Sequence, residues 1–149
     1  MAPSTTATPT APPVSTATLM EAVAAVSAAY FLDFAAASGR HGLSSSQAKA
    51  LGVVTEPVPM RALAGRLGCD ASNVTGIVDR LEGLGFARRE AAAADRRVKI
   101  VTITEPGREV LLRIRADMSK AHRALDSLSD EQRAALLAMC HQILPLLEA

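Results

Sequence analysis

Apolar residues recur at helical spacing through most of the chain. Over Met60–Leu67 they repeat at intervals of three and four, which marks one buried face of a helix. Asp70 is placed to cap a second helix, whose apolar positions keep the same period up to Leu84. Gly68 and Gly85 follow the two helices, where glycine commonly terminates a helix in the left-handed conformation. Two amphipathic helices joined by a short turn with glycine predict a helix-turn-helix.

Two strands are predicted directly after this pair of helices. The segments Phe86–Glu90 and Val98–Thr104 are predicted to be the two strands of a hairpin. The tip between them carries Asp95, Arg96 and Arg97. We therefore expect a short hairpin that presents two adjacent cations.

Helices are also predicted on both sides of this unit. Leu19–Ser38 forms the first one, and a capping box of Ser44 with Gln47 opens a second that runs to about Val54. After the hairpin, Thr104 is placed to cap one long helix. Its apolar residues follow a heptad-like seam: Leu111, Ile114, Met118, Ala121 and Leu125.

The last predicted helix has an unusually wide apolar surface. It begins at a capping box of Ser129 with Gln132. Its stripe consists of Leu136, Cys140, Ile143 and Leu147, and further apolar residues widen it: Leu137, Met139, Leu144 and Leu146. Such a surface near a chain end favours a second copy of the chain as partner. The alternative is that this surface packs within one chain.

The outer face of the second helix of the pair is small and polar. Ser72, Asn73, Thr75 and Gly76 lie away from its apolar side when residues are placed at 100° steps. A DNA major groove accepts small hydrogen-bonding side chains of this kind. An ordinary solvated helix face has the same composition, so the basic hairpin tip is what favours DNA. Residues 57–104 contain eight Lys or Arg and five Asp or Glu, although the whole chain carries only +1.

In its order of parts the chain resembles the MarR family of winged helix-turn-helix regulators, from roughly Leu19 to the C-terminus. The motifs that carry the resemblance are Leu63-Ala64 with Leu67-Gly68, Ser72-Asn73-Val74-Thr75, Val78-Asp79-Arg80-Leu81-Glu82, Gly85-Phe86, Asp95-Arg96-Arg97 and Thr102-Ile103-Thr104-Glu105-Pro106-Gly107. Gly76 departs from the family pattern, because many relatives carry a larger and often basic side chain there. We therefore expect one direct base contact fewer than in such relatives.

The resemblance implies a mainly α fold with a small β-hairpin wing. A winged helix-turn-helix would span residues 57–104, and helices at 17–40 and 105–149 would form a dimerisation region. Residues 17–149 then constitute one domain, after a Thr/Ala/Pro-rich tail at 1–16 that we expect to be disordered. The implied function is a cytoplasmic, homodimeric repressor that binds a pseudo-palindromic operator in double-stranded DNA. A small aromatic or phenolic effector would release it.

The predicted DNA-binding residues are Ser72, Asn73, Thr75, Gly76, Arg80, Arg96 and Arg97. Asp79 or Asp95 is expected to orient a wing arginine through a bidentate pair. Tyr30, Phe34 and His41 are candidates for the effector site, although aromatic residues at this spacing more often belong to the core. A helical protein-interaction dimer that has lost DNA binding is the alternative function, and Gly76 is the one feature that favours it.

Other classes of protein find little support in the sequence. The chain has no Gly-rich phosphate loop, no nucleophile elbow and no pair of carboxylates in a catalytic pattern, so we expect no enzyme and no cofactor. Its two cysteines and three histidines lack metal-ligand spacing, so we expect no metal site. Cys69 near a helix N-terminus is either a reactive thiol or, more simply, a small apolar residue. No stretch approaches the ~18 apolar residues of a membrane helix.

Overall fold

The computed structural model describes residues 13–148, which form seven helices and a three-stranded sheet. The helices are α1 (Thr16–Arg40), α2 (Ser45–Val53), α3 (Met60–Leu67), α4 (Ala71–Gly83), α5 (Glu105–Ala116), α6 (Ser119–Asp126) and α7 (Asp130–Glu148). The strands are β1 (Val58–Pro59), β2 (Ala87–Ala91) and β3 (Lys99–Ile103). This architecture confirms the predicted fold class. Most of the expected tail, residues 1–12, lies outside the described residues, and Thr16 already belongs to α1.

Most of the predicted helix starts are made by the side chains that the sequence indicated. The Ser44 hydroxyl accepts from the backbone N–H of Gln47, whose side chain accepts from the N–H of Ser44 in return. The same reciprocal pair joins Ser129 to Gln132 at the start of α7. Asp70 takes the cap position of α4, but its side chain makes no capping hydrogen bond.

The hairpin of β2 and β3 forms in antiparallel register, with Ala87 opposite Ile103 and Ala91 opposite Lys99. A third strand that we did not predict, β1, pairs with the other edge of β3. Two residues ending in proline give too short a pattern for a strand to be recognised in the sequence. This edge pairing ties the segment before α3 to the wing.

The hydrophobic core lies where α2, α3, α4 and α5 meet the sheet. Its largest fully buried side chains include Leu51, Leu63, Leu81 and Ile114. The apolar face of α4 is buried as its period predicted, because Val74, Val78 and Leu81 are all about 1% exposed. Burial of aliphatic side chains of this size contributes roughly 1.5–3 kcal/mol each to folding. The core thus fixes the orientation of α4.

The prediction of one long helix after the wing is wrong, because the structure contains two helices, α5 and α6, separated at Asp117 and Met118. The cause is Asp33, a buried residue of α1. Its carboxylate oxygen Oδ2 accepts from the backbone N–H groups of Lys120 at 3.0 Å and Ala121 at 2.9 Å. These N–H groups have no partner inside α6, so the Asp33 carboxylate caps the start of α6. Helix α5 therefore does not continue through this point.

The heptad-like seam of this segment is consequently not free for a partner chain. Leu111, Ile114 and Met118 are buried in the core of their own chain, and α5 packs against α1 and α2. Only Leu125, at the far end of the seam, is 49% exposed. The stripe of α7 differs, since Leu136, Ile143 and Leu147 are all exposed. The interpretation that α7 packs within one chain is therefore wrong for the described residues.

Helix α1 contradicts the expectation that no segment approaches a membrane span. By length and composition it could cross a membrane, with a mean hydropathy of 1.5 and 6% of the relevant window buried. Nine alanines raise its hydropathy, while Glu21 and Asp33 interrupt the apolar run, so a search for uninterrupted apolar residues misses it. Core helices of water-soluble proteins and signal sequences meet the same criterion, and the evidence for membrane insertion is weak.

A close approach at Gly107 provides a test of this packing. A Cβ atom there would lie 2.0 Å from the carbonyl oxygen of Phe86 and 2.8 Å from Cγ1 of Ile103. Gly107→Ala should destabilise the protein by about 1–3 kcal/mol through overpacking. Gly76→Ala is the matched control, because a Cβ at Gly76 meets nothing within 4 Å and should stabilise α4 by roughly 0.5–1 kcal/mol. Equal urea midpoints for the two variants would contradict the packing described here.

Candidate nucleic-acid interface

The polar residues predicted to contact DNA lie together on the exposed side of α4. Ser72, Asn73, Thr75 and Gly76 are exposed in its first two turns, and Arg80 is exposed one turn later. Their direction follows from the burial of the apolar face on the opposite side of the helix. Thr75 donates its hydroxyl to the carbonyl of Ala71 at 3.2 Å, which holds that side chain close to the helix. Ser72 and Asn73 extend from the first turn, where a recognition helix contacts base edges.

The turn before α4 is held by backbone hydrogen bonds at the end of α3. Gly68 has φ of 66°, a left-handed conformation that glycine adopts without steric cost. The N–H of Gly68 then donates to the carbonyl of Gly65, and that of Cys69 to Ala64. This arrangement ends α3 and directs the chain into α4 within three residues. The predicted pair of helices joined by a short turn with glycine is therefore confirmed.

The tip of the wing presents Arg96 and Arg97 to solvent. Asp95 shapes this tip, because its Oδ1 accepts from the backbone N–H of Arg97 at 2.9 Å and its carbonyl from the N–H of Val98. Asp95 thus orders the backbone under the arginines and does not pair with their side chains. The expected bidentate pair at the tip is absent from the described residues.

The pair that does form involves Arg89 of β2, a residue that our sequence reasoning missed. One guanidinium nitrogen of Arg89, Nη1, lies 2.6 Å from Oδ1 of Asp79 and 2.6 Å from Oε2 of Glu82. The other, Nη2, donates to the carbonyl of Thr75 at 3.3 Å. The backbone N–H of Arg89 also donates to Glu82, at 2.7 Å. We call this arrangement the Arg89 cluster.

The Arg89 cluster joins the recognition helix to the wing. Its acidic partners Asp79 and Glu82 are three positions apart, so they lie on one side of α4. Arg88 and Arg89 are neighbours on β2, so their side chains lie on opposite faces of the strand. The Arg89 side chain is only 25% exposed, whereas that of Arg88 is 59% exposed. Strand alternation together with the acidic pair on α4 was a signal that could have identified it. The expectation that Asp79 or Asp95 forms a bidentate pair with Arg96 or Arg97 is therefore wrong, because Asp79 contacts Arg89 through a single nitrogen.

Two of the three predicted effector residues line a cavity of about 190 Å³, which we call the aromatic cavity. Its other walls are Phe31, Ala48, Lys49, Gly52, Leu111 and Arg115. Tyr30 is 50% exposed and therefore not a core residue, while Phe34 is half-buried against the core. Lys49 and Arg115 bring two cations to this aromatic surface, and neither is predicted from the sequence. Their spacing along the chain gave no indication of this convergence.

His41 lies elsewhere, at the junction of α1 with α5. Its Nε2 is 2.7 Å from Oδ2 of Asp117, and the neighbouring Arg40 donates to the Asp117 carbonyl at 2.6 Å. The structure therefore gives His41 a role at the break between α5 and α6, outside the aromatic cavity. Over residues 13–147 there is no group of three or more His, Cys, Asp or Glu side chains that could hold a metal ion. Within the same range Cys69 is half-buried and Cys140 exposed, and both are free thiols.

Comparison with known proteins adds family information to this geometry. Residues 54–99 match the model of the MarR family. An uncharacterized HTH-type transcriptional regulator of Bacillus subtilis, YfiV, is 36% identical over 78 residues. That match covers 50% of this chain and 47% of YfiV, so it spans about half the length of this curated relative. The matched family segment contains the helix-turn-helix and most of the wing.

Solved structures extend the similarity to nearly the whole chain. The transcriptional regulator BldR from Sulfolobus solfataricus is 31% identical, with a TM-score of 0.68, over 85% of this chain and 92% of that chain. CouR from Rhodococcus jostii RHA1, whose structure contains p-coumaroyl-CoA, is 26% identical with a TM-score of 0.66, over 84% of this chain and 90% of that chain. MarR from E. coli shares the fold at 18% identity, with a TM-score of 0.70 over 85% of this chain and 96% of that chain.

The contribution of the Arg89 cluster to the free energy of unfolding can be measured by substitution. Arg89→Met leaves two carboxylates without their partner and should destabilise the protein by roughly 1.5–3 kcal/mol, the usual contribution of a hydrogen bond to a charged group. Arg88→Met is the matched control on the same strand, and its exposed pair with Glu90 should contribute less than about 1 kcal/mol. Urea unfolding of both variants measures the difference. If both lose the same stability, the Arg89 cluster is no more than a surface ion pair.

Proposed function

Because the chain belongs to the MarR family of transcriptional regulators, we propose that it binds operator DNA as a homodimer and regulates transcription. The observation that carries this proposal is the exposed small polar face at the start of α4, beside a wing with Arg96 and Arg97 at its tip. Helix α4 enters the major groove, and its first turns contact base edges. The wing arginines bind phosphates or the minor groove. The family and the fold are those of regulators rather than enzymes.

Base contacts in this protein are few, so DNA shape contributes more to specificity than direct base contacts do. Gly76 offers no side chain, and Thr75 is turned toward the carbonyl of Ala71. Ser72 and Asn73 therefore carry most of the direct readout, with Arg80 available one turn further along. Sequence-dependent groove width and flexibility supply the remainder. The lack of a side chain at Gly76 is also compatible with the alternative function, an interaction dimer without DNA binding. That alternative gives no role to the exposed wing tip.

The exposed apolar surfaces of α1 and α7 support assembly into a dimer. Large apolar residues on both helices are exposed: Leu19, Met20, Val23, Val26, Leu136, Leu137, Met139, Ile143, Leu144, Leu146 and Leu147. Monomeric soluble proteins rarely leave so many neighbouring apolar side chains in water. A two-fold dimer buries these surfaces and sets the distance between the two copies of α4. This arrangement suits a cytoplasmic regulator of a pseudo-palindromic operator.

The aromatic cavity is the proposed effector site, and binding there releases a repressor from DNA. Its volume of about 190 Å³ compares with the ~150 Å³ of an apolar cavity that binds benzene, so it accommodates one aromatic ring. Lys49 and Arg115 favour an acidic or phenolic substituent on that ring. The p-coumaroyl-CoA found with CouR is also a phenolic compound. We propose a small aromatic or phenolic effector bound near Tyr30 and Phe34, with His41 outside this cavity.

Substitutions in the wing and substitutions in α4 should affect DNA binding differently. Arg96→Ala or Arg97→Ala should weaken binding to specific and random DNA alike, and lower the salt slope by about one unit per lost phosphate contact. Asn73→Ala should cost roughly 1–3 kcal/mol at one position of each half-site and relax the preference there. Binding is measured across a salt series on DNA selected from a random pool. Arg133→Ala, an exposed arginine of α7, is the control.

Unchanged affinity and salt slope in both wing variants would contradict the assignment of the wing. If the wild-type protein selects no DNA at all, the DNA-binding function is refuted and the interaction-dimer function is favoured instead.

The dimer is tested at the exposed stripe of α7. Leu136→Glu combined with Ile143→Glu should give monomeric or insoluble protein, because two charges then enter the apolar interface. Leu112→Glu places a charge on an exposed apolar residue of α5 and should leave the assembly intact. Sedimentation velocity at micromolar concentration distinguishes these states. A wild-type chain that sediments as a monomer would refute the dimer.

A further inference from the structure

Asp79 places a carboxylate on the surface of α4 that is proposed to meet DNA. Its side chain is 58% exposed. At about 100° per residue it lies on the outer face of the helix with Ser72 and Gly76, on the side nearer the wing. A negative charge on this face is repelled by phosphates, so it weakens DNA binding unless the charge is balanced and the carboxylate meets a hydrogen-bond donor.

The Arg89 cluster balances part of this charge and leaves an acceptor oxygen available. Both oxygens of Glu82 accept from Arg89, Oε1 from the backbone N–H at 2.7 Å and Oε2 from Nη1 at 2.6 Å. Asp79 approaches the same Nη1 through Oδ1, and its Oδ2 makes no hydrogen bond within residues 13–147. One guanidinium against two carboxylates leaves the cluster with a net charge of −1. An amino group is therefore the favoured contact for Oδ2.

The surface around Asp79 permits a close approach to the bases. Gly76 lies one turn before Asp79 and Gly83 one turn after it, and both glycines are exposed. A Cβ atom at either glycine would meet nothing within 4 Å, so the protein itself does not fill this space. An aspartate side chain is short and reaches a base edge only where the helix backbone comes close, as glycine allows. The missing side chain at Gly76 thus makes a contact by Asp79 possible.

The major groove offers a carboxylate one well-matched base. Guanine presents the acceptors N7 and O6, and thymine the acceptor O4, all of which repel a carboxylate. Adenine has the N6 amino donor, but its acceptor N7 lies beside it. Cytosine presents the N4 amino donor with no acceptor on the same base edge, so it is the base from which a carboxylate accepts most favourably.

We propose that Asp79 recognises one cytosine in each half-site, whose N4 amino group donates a hydrogen bond to Oδ2. Arg89 is the positioning residue, because it holds Oδ1 and reduces the charge that faces the phosphates. Ser72 lies two turns earlier on α4, about 10 Å along the helix axis, so the cytosine is about three base pairs from the position nearest Ser72. The inference rests on the proposed DNA-binding function and adds a specificity-determining residue to it.

The test combines protein variants with altered bases. Operator DNA is selected from a random pool with the wild-type protein, Asp79→Ala, Asp79→Asn and Glu82→Gln. Glu82→Gln is the matched control, because it weakens the same cluster at a side chain that is only 32% exposed. In the selected site, the cytosine is then replaced by each other base and by N4-methylcytosine, which still pairs with guanine but presents a methyl group in place of the hydrogen in the major groove. Urea unfolding of each variant reports its stability.

The wild-type protein should prefer cytosine about tenfold at one position of each half-site, and N4-methylcytosine should remove this preference. Asp79→Ala should bind all four bases there with equal affinity and should not respond to the methyl group. Asp79→Asn should change the preference to adenine, because an amide pairs with both N6 and N7. Glu82→Gln should lower the affinity for every sequence by the same factor and keep the preference for cytosine.

A purely structural role of Asp79 predicts that Asp79→Ala weakens binding to every sequence equally, and that result would overturn the inference. So would wild-type base preferences in Asp79→Ala, or an equal effect of N4-methylcytosine on Asp79→Ala and on the wild-type protein. If Asp79→Ala does not fold, Asp79→Asn and the methylated site decide in the same way. A wild-type protein that selects no DNA refutes the proposed function itself, whereas selected DNA whose base preferences do not depend on Asp79 refutes this inference alone.

Discussion

The buried carboxylate of Asp33 accepts two backbone N–H groups at the start of α6, and the shape of the molecule follows from this contact. A carboxylate removed from water is costly unless it is hydrogen-bonded, and the N-terminus of a helix supplies both donors and a favourable dipole. The chain therefore stops α5 at Ala116 and starts α6 at Ser119. Arg40 and His41 hold the residue between them, Asp117, from the end of α1. The C-terminal helices thus take their direction from α1, and the apolar residues of α7 remain exposed in the single chain.

This geometry explains why sequence predicted some parts well and others poorly. Helix ends such as Ser44, Gly68 and Thr104 depend on hydrogen bonds between residues a few positions apart, so composition and spacing identify them. The break at Met118 depends on Asp33, which is 87 positions from Lys120. A heptad-like period continues across the break, because the same apolar residues serve the core of α5 and the start of α6. Periodicity alone could not distinguish one helix from two.

The candidate site shows the same division. Ser72, Asn73 and Thr75 were placed correctly on the outer face of α4, because the buried face of one helix determines the opposite face. The Arg89 cluster and the convergence of Lys49 with Arg115 bring together residues from different elements. No local pattern indicates such contacts, although the alternation of Arg88 and Arg89 on β2 limited the choice. Distance along the chain, rather than weak residue preference, set the limit of prediction.

The two contacts that the sequence did not reveal act on opposite ends of α4. The Arg89 cluster fixes its later turns to the wing through Asp79 and Glu82, and the cluster is partly shielded from solvent. The contact of Lys49 with Leu67 restrains the turn before its first residue, and it is a single hydrogen bond to a neutral group. One hydrogen bond to a neutral carbonyl is a weaker restraint than a cluster of two carboxylates around one guanidinium. The start of α4, where Ser72 and Asn73 lie, is therefore held by fewer contacts than the later turns, which the wing supports.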